Sequence, residues 1–331
     1  MASQRSLFQR YIAHPRRRWL PSFLGLLVLL ASIPAASLDG VLSDFFARGI
    51  WRVTLSPILT LYILVLAPIM DRMEAGVVRA FRPLVQIDDA EFERVLGEAS
   101  RLKPVHEAIA FGVGALFGII LVASSYSDQG FSWLIPYWFL TTALMYGLLT
   151  WTVVGAVAET RVTAALHRQP LRVNLFDITP FQAVGNRSLV TALAFIGGIT
   201  LSLVLGGYGP DSIHRLEFWI TYVILSAAPI LIFFLTMIPT HRVLADAKSR
   251  EMERVSGRIL RACQSMLQSL EGGEGVGDFT QEISALGEYE RRLQQARTWP
   301  YDTAKLRTLS ISLLVPIATT LMRWVAEKLV R

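Results

Sequence analysis

The chain has 331 residues, 53% of them hydrophobic and only 18% charged, with a mean hydropathy of +0.44, which excludes an ordinary soluble domain. Its net charge of +6 and pI near 9.7 come without an aromatic-interleaved basic patch or a zinc-ligand spacing, so basic cytoplasmic loops explain the charge better than nucleic acid does. A single cysteine, Cys263, excludes an internal disulfide and any cysteine-based metal site.

Residues 1–18 form a basic N-terminus, followed by the first of six stretches long and apolar enough to span a bilayer. These run over Trp19–Leu38, Ile50–Met70, Ala108–Tyr126, Ser132–Ala158, Ser188–Gly207 and Phe218–Thr240. The first, within "RRRWLPSFLGLLVLLASIPAAS", has the basic flank and small residues of a signal peptide, and reads equally well as a signal-anchor because another span comes directly after it. Of the basic residues, 26 fall in intervals on the side of the N-terminus and 3 on the other, Arg48 and Arg215 in the intervals and Arg52 at the outer end of the second span. The positive-inside rule then places the N-terminus and residues 71–107, 159–187 and 241–307 in the cytoplasm of a plasma (inner) membrane.

In the first inner loop, Asp88 and Glu91 have capping-box spacing, and Phe92, Val95, Leu96, Ala99 and Leu102 give one apolar helix face. The second loop, "LRVNLFDITPFQ", predicts Thr179 as an N-cap with Pro180 first in the helix. The two loops echo each other, as "RPLVQID" (82–88) and "QPLRVNLFD" (169–177), a likeness that common loop punctuation by Pro and Asp explains better than a duplicated two-helix unit. After the sixth span, Met252, Val255, Ile259, Ala262, Met266 and Leu270, and then Ile283, Leu286, Tyr289 and Leu293, repeat at three-four spacing around "EGGEGVGD". This predicts a cytoplasmic helical hairpin over 241–298. The glycine run lacks the spacing of a phosphate-binding loop and is a turn.

The closing segment, 299–331, starts at "WPYD", where Pro300 ends the hairpin and Asp302 can cap the final helix. Fifteen uncharged residues from Thr308 to Met322 make a helix of roughly 22 Å against a hydrocarbon core of about 30 Å. Ser312, Pro316, Thr319, Arg323 and Glu327 form a narrow polar stripe on it. Two physical solutions exist, a short seventh span with the C-terminus outside and an interfacial helix lying flat. The wide apolar face tips the balance toward the span.

The chemistry of the chain is sparse. Its five histidines form no metal-binding pair, no nucleophile motif is present, and the span interiors lack the charged residues that ion-coupled carriers use. The sequence therefore points to a non-enzymatic protein without cofactor or metal. Neutral hydroxyls are the remaining feature. Thr142, Tyr146 and Thr150 recur every fourth residue in the fourth span, and Tyr222, Ser226, Pro229, Thr236 and Thr240 lie near one face of the sixth. They suit a pore lining or close helix packing.

The expectation is an all-α integral membrane protein with six long transmembrane helices over 19–240 and a short amphipathic C-terminal helix. Its partners are the lipid bilayer and further copies of itself, without nucleic acid. A cytoplasmic protein at 241–298 is the lesser use of the hairpin. The functional expectation is an oligomeric passive channel with the last helix near the pore and Arg323 at its outer end. The alternatives are a membrane scaffold or sensor signalling through the hairpin, and a secondary transporter without charged coupling sites. The general pattern resembles multi-pass bacterial membrane proteins.

Overall fold

The computed structural model describes residues 19–43, 53–99, 104–124, 132–205, 216–271 and 277–330, and within them every side chain except those of 124, 158–159, 216–226, 228, 277–278, 320–321, 323–324 and 326–330. These residues form ten α-helices: α1 (Leu20–Leu30), α2 (Ser32–Leu38), α3 (Leu55–Phe81), α4 (Asp89–Ala99), α5 (Pro104–Ser124), α6 (Leu134–His167), α7 (Thr179–Leu205), α8 (Leu216–Glu271), α9 (Gly277–Gln295) and α10 (Thr303–Val330). Six helical stretches among them are long and apolar enough to cross a membrane, and the all-α membrane class fits. Their outward faces carry the apolar side chains that a lipid solvent requires, such as Val113, Leu116, Phe117 and Ile120 on α5.

Several helices overrun the spans expected from the sequence. The 34 residues of α6 extend about 51 Å, longer than the hydrocarbon core, so the helix continues beyond Ala158 to His167. The longest is α8, whose 56 residues run about 84 Å without interruption, through Pro229 and Pro239. The expected boundary between sixth span and hairpin, at residue 240, falls inside this one helix.

Where the helices emerge on the basic side, a second core forms. Val77 and Phe81 of α3, Phe92 of α4, Val162 and Leu166 of α6, Phe181 and Val184 of α7 and Leu244 of α8 bury one another around Val85 of the first loop. Phe81 meets the rings of Phe181 and His167 edge-on, at 5.3 and 5.2 Å between centroids. The echoing loops meet here too. Val85 and Leu171 form an isolated antiparallel bridge, in which the Gln86 N–H donates to the Pro170 carbonyl at 3.0 Å and the Arg172 N–H to Leu84 at 2.8 Å. Each Pro-Leu dipeptide thus supplies a carbonyl to the other loop.

The caps agree with the sequence in part. Asp88 accepts the Glu91 N–H at 2.7 Å, as a capping residue should. At α7 the acceptor is Asp177, which takes the Thr179 N–H at 3.1 Å, so Thr179 is bonded by the turn before it. Three hydrogen bonds from Ser132 Oγ, the Trp133 N–H and the Leu134 N–H, at 2.6, 2.7 and 2.9 Å, converge on Asp39, which caps α6 from a distant part of the chain. Desolvation raises the Asp39 pKa, but these three donors outweigh it and hold the carboxyl below its ordinary value.

The closing helix α10 packs along α7. Its approach begins where the Pro300 carbonyl sits against Gly185, a contact with no room for a Cβ. Leu306, Leu309 and Leu313 then join Leu189, Ala192, Leu193 and Ile196 of α7 and Phe233 and Met237 of α8 in one apolar cluster. Both helices advance away from the basic side, so α10 runs parallel to α7.

Candidate functional site

The hydroxyl stripe of α6 faces its neighbours. Thr142 shares a 2.9 Å hydrogen bond with Ser56 of α3, and Thr150 donates to the Tyr146 carbonyl at 2.9 Å. Gly114 and Gly118 of α5 lie directly against this face, where an added Cβ at Gly118 would come 2.8 Å from the Thr142 carbonyl oxygen. Tyr146 also stacks edge-on with Phe117. On α8, Thr236 shares a 2.6 Å hydrogen bond with Ser188 of α7. Pro229 is buried, Ser312 is half-buried, and Thr319 donates to its own helix at the Pro316 carbonyl. The side chains of Tyr222, Ser226, Arg323 and Glu327 lie outside those described. Of the described stripe residues, Thr142 and Thr236 bond to neighbouring helices, Thr150 and Thr319 bond within their own helices, and Thr240 Oγ1 is buried without a hydrogen-bond partner.

A cavity of about 440 Å³ does open between α3, α6 and α7, lined by Tyr62, Met145, Tyr146, Phe195 and Gly198 among other apolar groups. Its hydroxyls are already engaged: Tyr62 donates to the Ala194 carbonyl at 2.8 Å, Thr152 to Leu148 at 2.7 Å and Ser202 to Gly198 at 2.9 Å. Its lining is mainly apolar.

A larger cavity, about 1020 Å³, lies on the basic side between the second loop and the hairpin. One face of α8 forms a wall, because Val243, Asp246, Ala247, Arg250, Glu251 and Arg254 recur at three-four spacing and so project together. The opposite wall is residues 169–176 with His167 at the end of α6, and Tyr289 of α9 closes one end. The loop is fixed at both edges. Its start is held by the bridge to Leu84 and Gln86, and Leu175 inserts between Val255 and Leu293 at the root of the hairpin.

The charges in this cavity are unevenly paired. Glu251 is engaged by Arg254 at 3.4 Å and accepts the Tyr289 hydroxyl at 3.3 Å. Burial raises the Tyr289 pKa, and the adjacent Glu251 raises it further, so the phenol stays a donor. Arg172 and Arg250 have no ion-pair partner among the described residues, and Asp246 is the one other carboxylate on the lining. His167 holds its ring by Nδ1, which donates to the Thr163 carbonyl at 2.6 Å and leaves Nε2 as a buried acceptor without a hydrogen-bond partner. Two guanidinium groups without an ion-pair partner suit an anion.

The hairpin is stapled to this site. Lys248 of α8 donates to the Gln294 and Ala296 carbonyls at 2.6 and 2.9 Å, capping α9, and His241 stacks on Trp299 at 3.9 Å. Sequence reasoning missed the cavity, although the spacing of Asp246, Arg250 and Arg254 was a legible signal. Glu107, in the first turn of α5, is 2% exposed and accepts the Trp151 indole N–H at 3.2 Å. No group of three or more metal-ligating side chains occurs among the described residues. Comparison with known protein families, curated proteins and solved structures finds no match.

Proposed function

We propose that this chain is a homo-oligomeric sensor of the plasma membrane, in which the cavity beneath the bundle takes an anionic solute from the cytoplasm and the hairpin passes the response to a cytoplasmic partner. The observation that carries this reading is that α8 is at once a bundle helix, a wall of the cavity and the first arm of the hairpin. A solute drawn to Arg172 and Arg250 would bear on all three. In this reading the N-terminus is cytoplasmic, and α10, parallel to α7, makes a seventh crossing that leaves the C-terminus outside. The pore reading has less support, because Thr142 and Thr236 are bonded to neighbouring helices and the cavity within the bundle has a mainly apolar lining.

The test uses the full chain in lipid nanodiscs, with a Cys263→Ser background and spin labels on cysteines at Glu98 of α4 and Gln268 of α8. Inorganic pyrophosphate serves as the anionic probe. The expected result is a saturable change in the interspin distance that disappears in Arg172→Gln/Arg250→Gln. An unchanged distance, together with ion flux from liposomes holding the same protein, would overturn the sensor reading in favour of the pore.

A further inference from the structure

The hairpin's first arm has a second apolar stripe that its own fold leaves uncovered. Val255 and Ile259 of α8 pack with Tyr289 and Leu293 of α9, Ala262 is buried and Met266 half-buried, whereas Leu260, Leu267 and Leu270 are 61%, 56% and 52% exposed. With Ser256 and Cys263 these three leucines succeed one another at alternating intervals of four and three residues, the spacing of a coiled-coil seam.

We infer that this stripe is where a second copy of the chain docks, α8 against α8 in parallel. Copies inserted in one membrane with one topology present the same helix in the same direction, so a two-fold axis along the membrane normal aligns each seam residue with its twin. The charges agree with this occupant. Between Ser256 and Leu270 the positions beside the seam, Gly257, Ile259, Gln264 and Met266, are neutral, and Arg254, Arg258 and Arg261 point elsewhere around the helix, while Glu290 of α9 accepts from Ser256 at 3.4 Å at the membrane end. Glu253 ends the seam toward the membrane and Glu271 borders its far end.

The contact is small beside the roughly 1,200–2,000 Å² of a soluble complex. Confinement to a bilayer compensates, because the transmembrane helices hold the two seams at high effective concentration. The inference stands whether or not the cavity binds an anion, since it uses the opposite end of the hairpin.

The only cysteine of the chain sits on this seam and reports on it directly. Twin cysteines at a core position of a parallel pair fall within the roughly 4.4–6.8 Å Cα separation that a disulfide needs. The experiment oxidises full-length protein in native membranes with copper phenanthroline and tracks covalent dimer on non-reducing gels. Cys263 should cross-link, as should Leu260→Cys, Leu267→Cys and Leu270→Cys in Cys263→Ser, each at least tenfold faster than Arg258→Cys. Leu260→Glu/Leu267→Glu should abolish cross-linking through Cys263 and halve the mass per nanodisc, with α9 amide protection unchanged because both leucines are exposed. Cross-linking at Arg258→Cys as fast as at the seam would overturn the inference. So would a monomeric wild type, whether its Cys263 is open to a water-soluble maleimide or shielded by lipid.

Discussion

Leu175 is the point at which the second loop grips the hairpin, and its replacement by alanine isolates that grip. The side chain is 8% exposed and lies in a cluster with Val255, 3% exposed, and Leu293, fully buried. A buried Leu→Ala change costs about 2–5 kcal/mol, lost transfer energy plus the void left behind. Leu175 stands on a loop that can settle into part of that void, which places the cost near 3 kcal/mol, or on the order of 100-fold in the opening equilibrium of the docked hairpin. Hydrogen exchange in nanodiscs reads this equilibrium amide by amide. The amides around Leu286 and Leu293 of α9 should exchange about 100-fold faster in Leu175→Ala, while those of α5, remote from the cluster, keep their wild-type rates. Unchanged α9 exchange would show that the hairpin holds itself together without the loop and would refute the coupling of cavity to hairpin.

Phe81→Ala, at the centre of the core that gathers five helices, should cost about 3–5 kcal/mol and lower the Tm of the detergent-solubilised protein more than any single change on the outward face of α5. Gly118→Val would drive a side chain against the Thr142 carbonyl and the Tyr146 ring, losing about 1–3 kcal/mol, whereas Gly112→Ala, with open space around it, should be neutral in the same melting assay. Asp39→Ala should cost about 0.5–2 kcal/mol at neutral pH through the lost cap on α6. Because the folded-state pKa of Asp39 is lowered, the stability it adds is present above its ordinary carboxylate pKa and is lost as pH falls through the depressed value. The Tm gap between wild type and Asp39→Ala should therefore close in strong acid, and a gap independent of pH would exclude the carboxylate as its source.

Spans and caps were legible because they depend on local pattern. Apolar length located the six crossing helices, and the Asp88–Glu91 spacing located the start of α4. The features that escaped are set by partners distant in sequence. Thr142, Tyr146 and Thr150 form the same stripe whether they line water or a glycine-faced helix, and that Gly114 and Gly118 lie against it depends on a helix distant in sequence. The cap that Asp39 gives α6 joins residues more than ninety positions apart. The echo between "RPLVQID" and "QPLRVNLFD" was visible as resemblance, but that the two segments hydrogen-bond to each other was not. The cavity was hidden for the same reason, since its two walls come from a loop and a helix separated by the whole of α7.

The unbroken length of α8 would serve the proposed sensor as a lever. About 30 residues of it project past the bundle, roughly 45 Å of stiff rod. A tilt of about 5° where it leaves the bilayer would swing the far tip sideways by roughly 4 Å, more than a hydrogen bond can stretch. A rearrangement too slight to register inside the membrane would thus arrive at the end of the hairpin large enough to engage or release whatever surface meets it there.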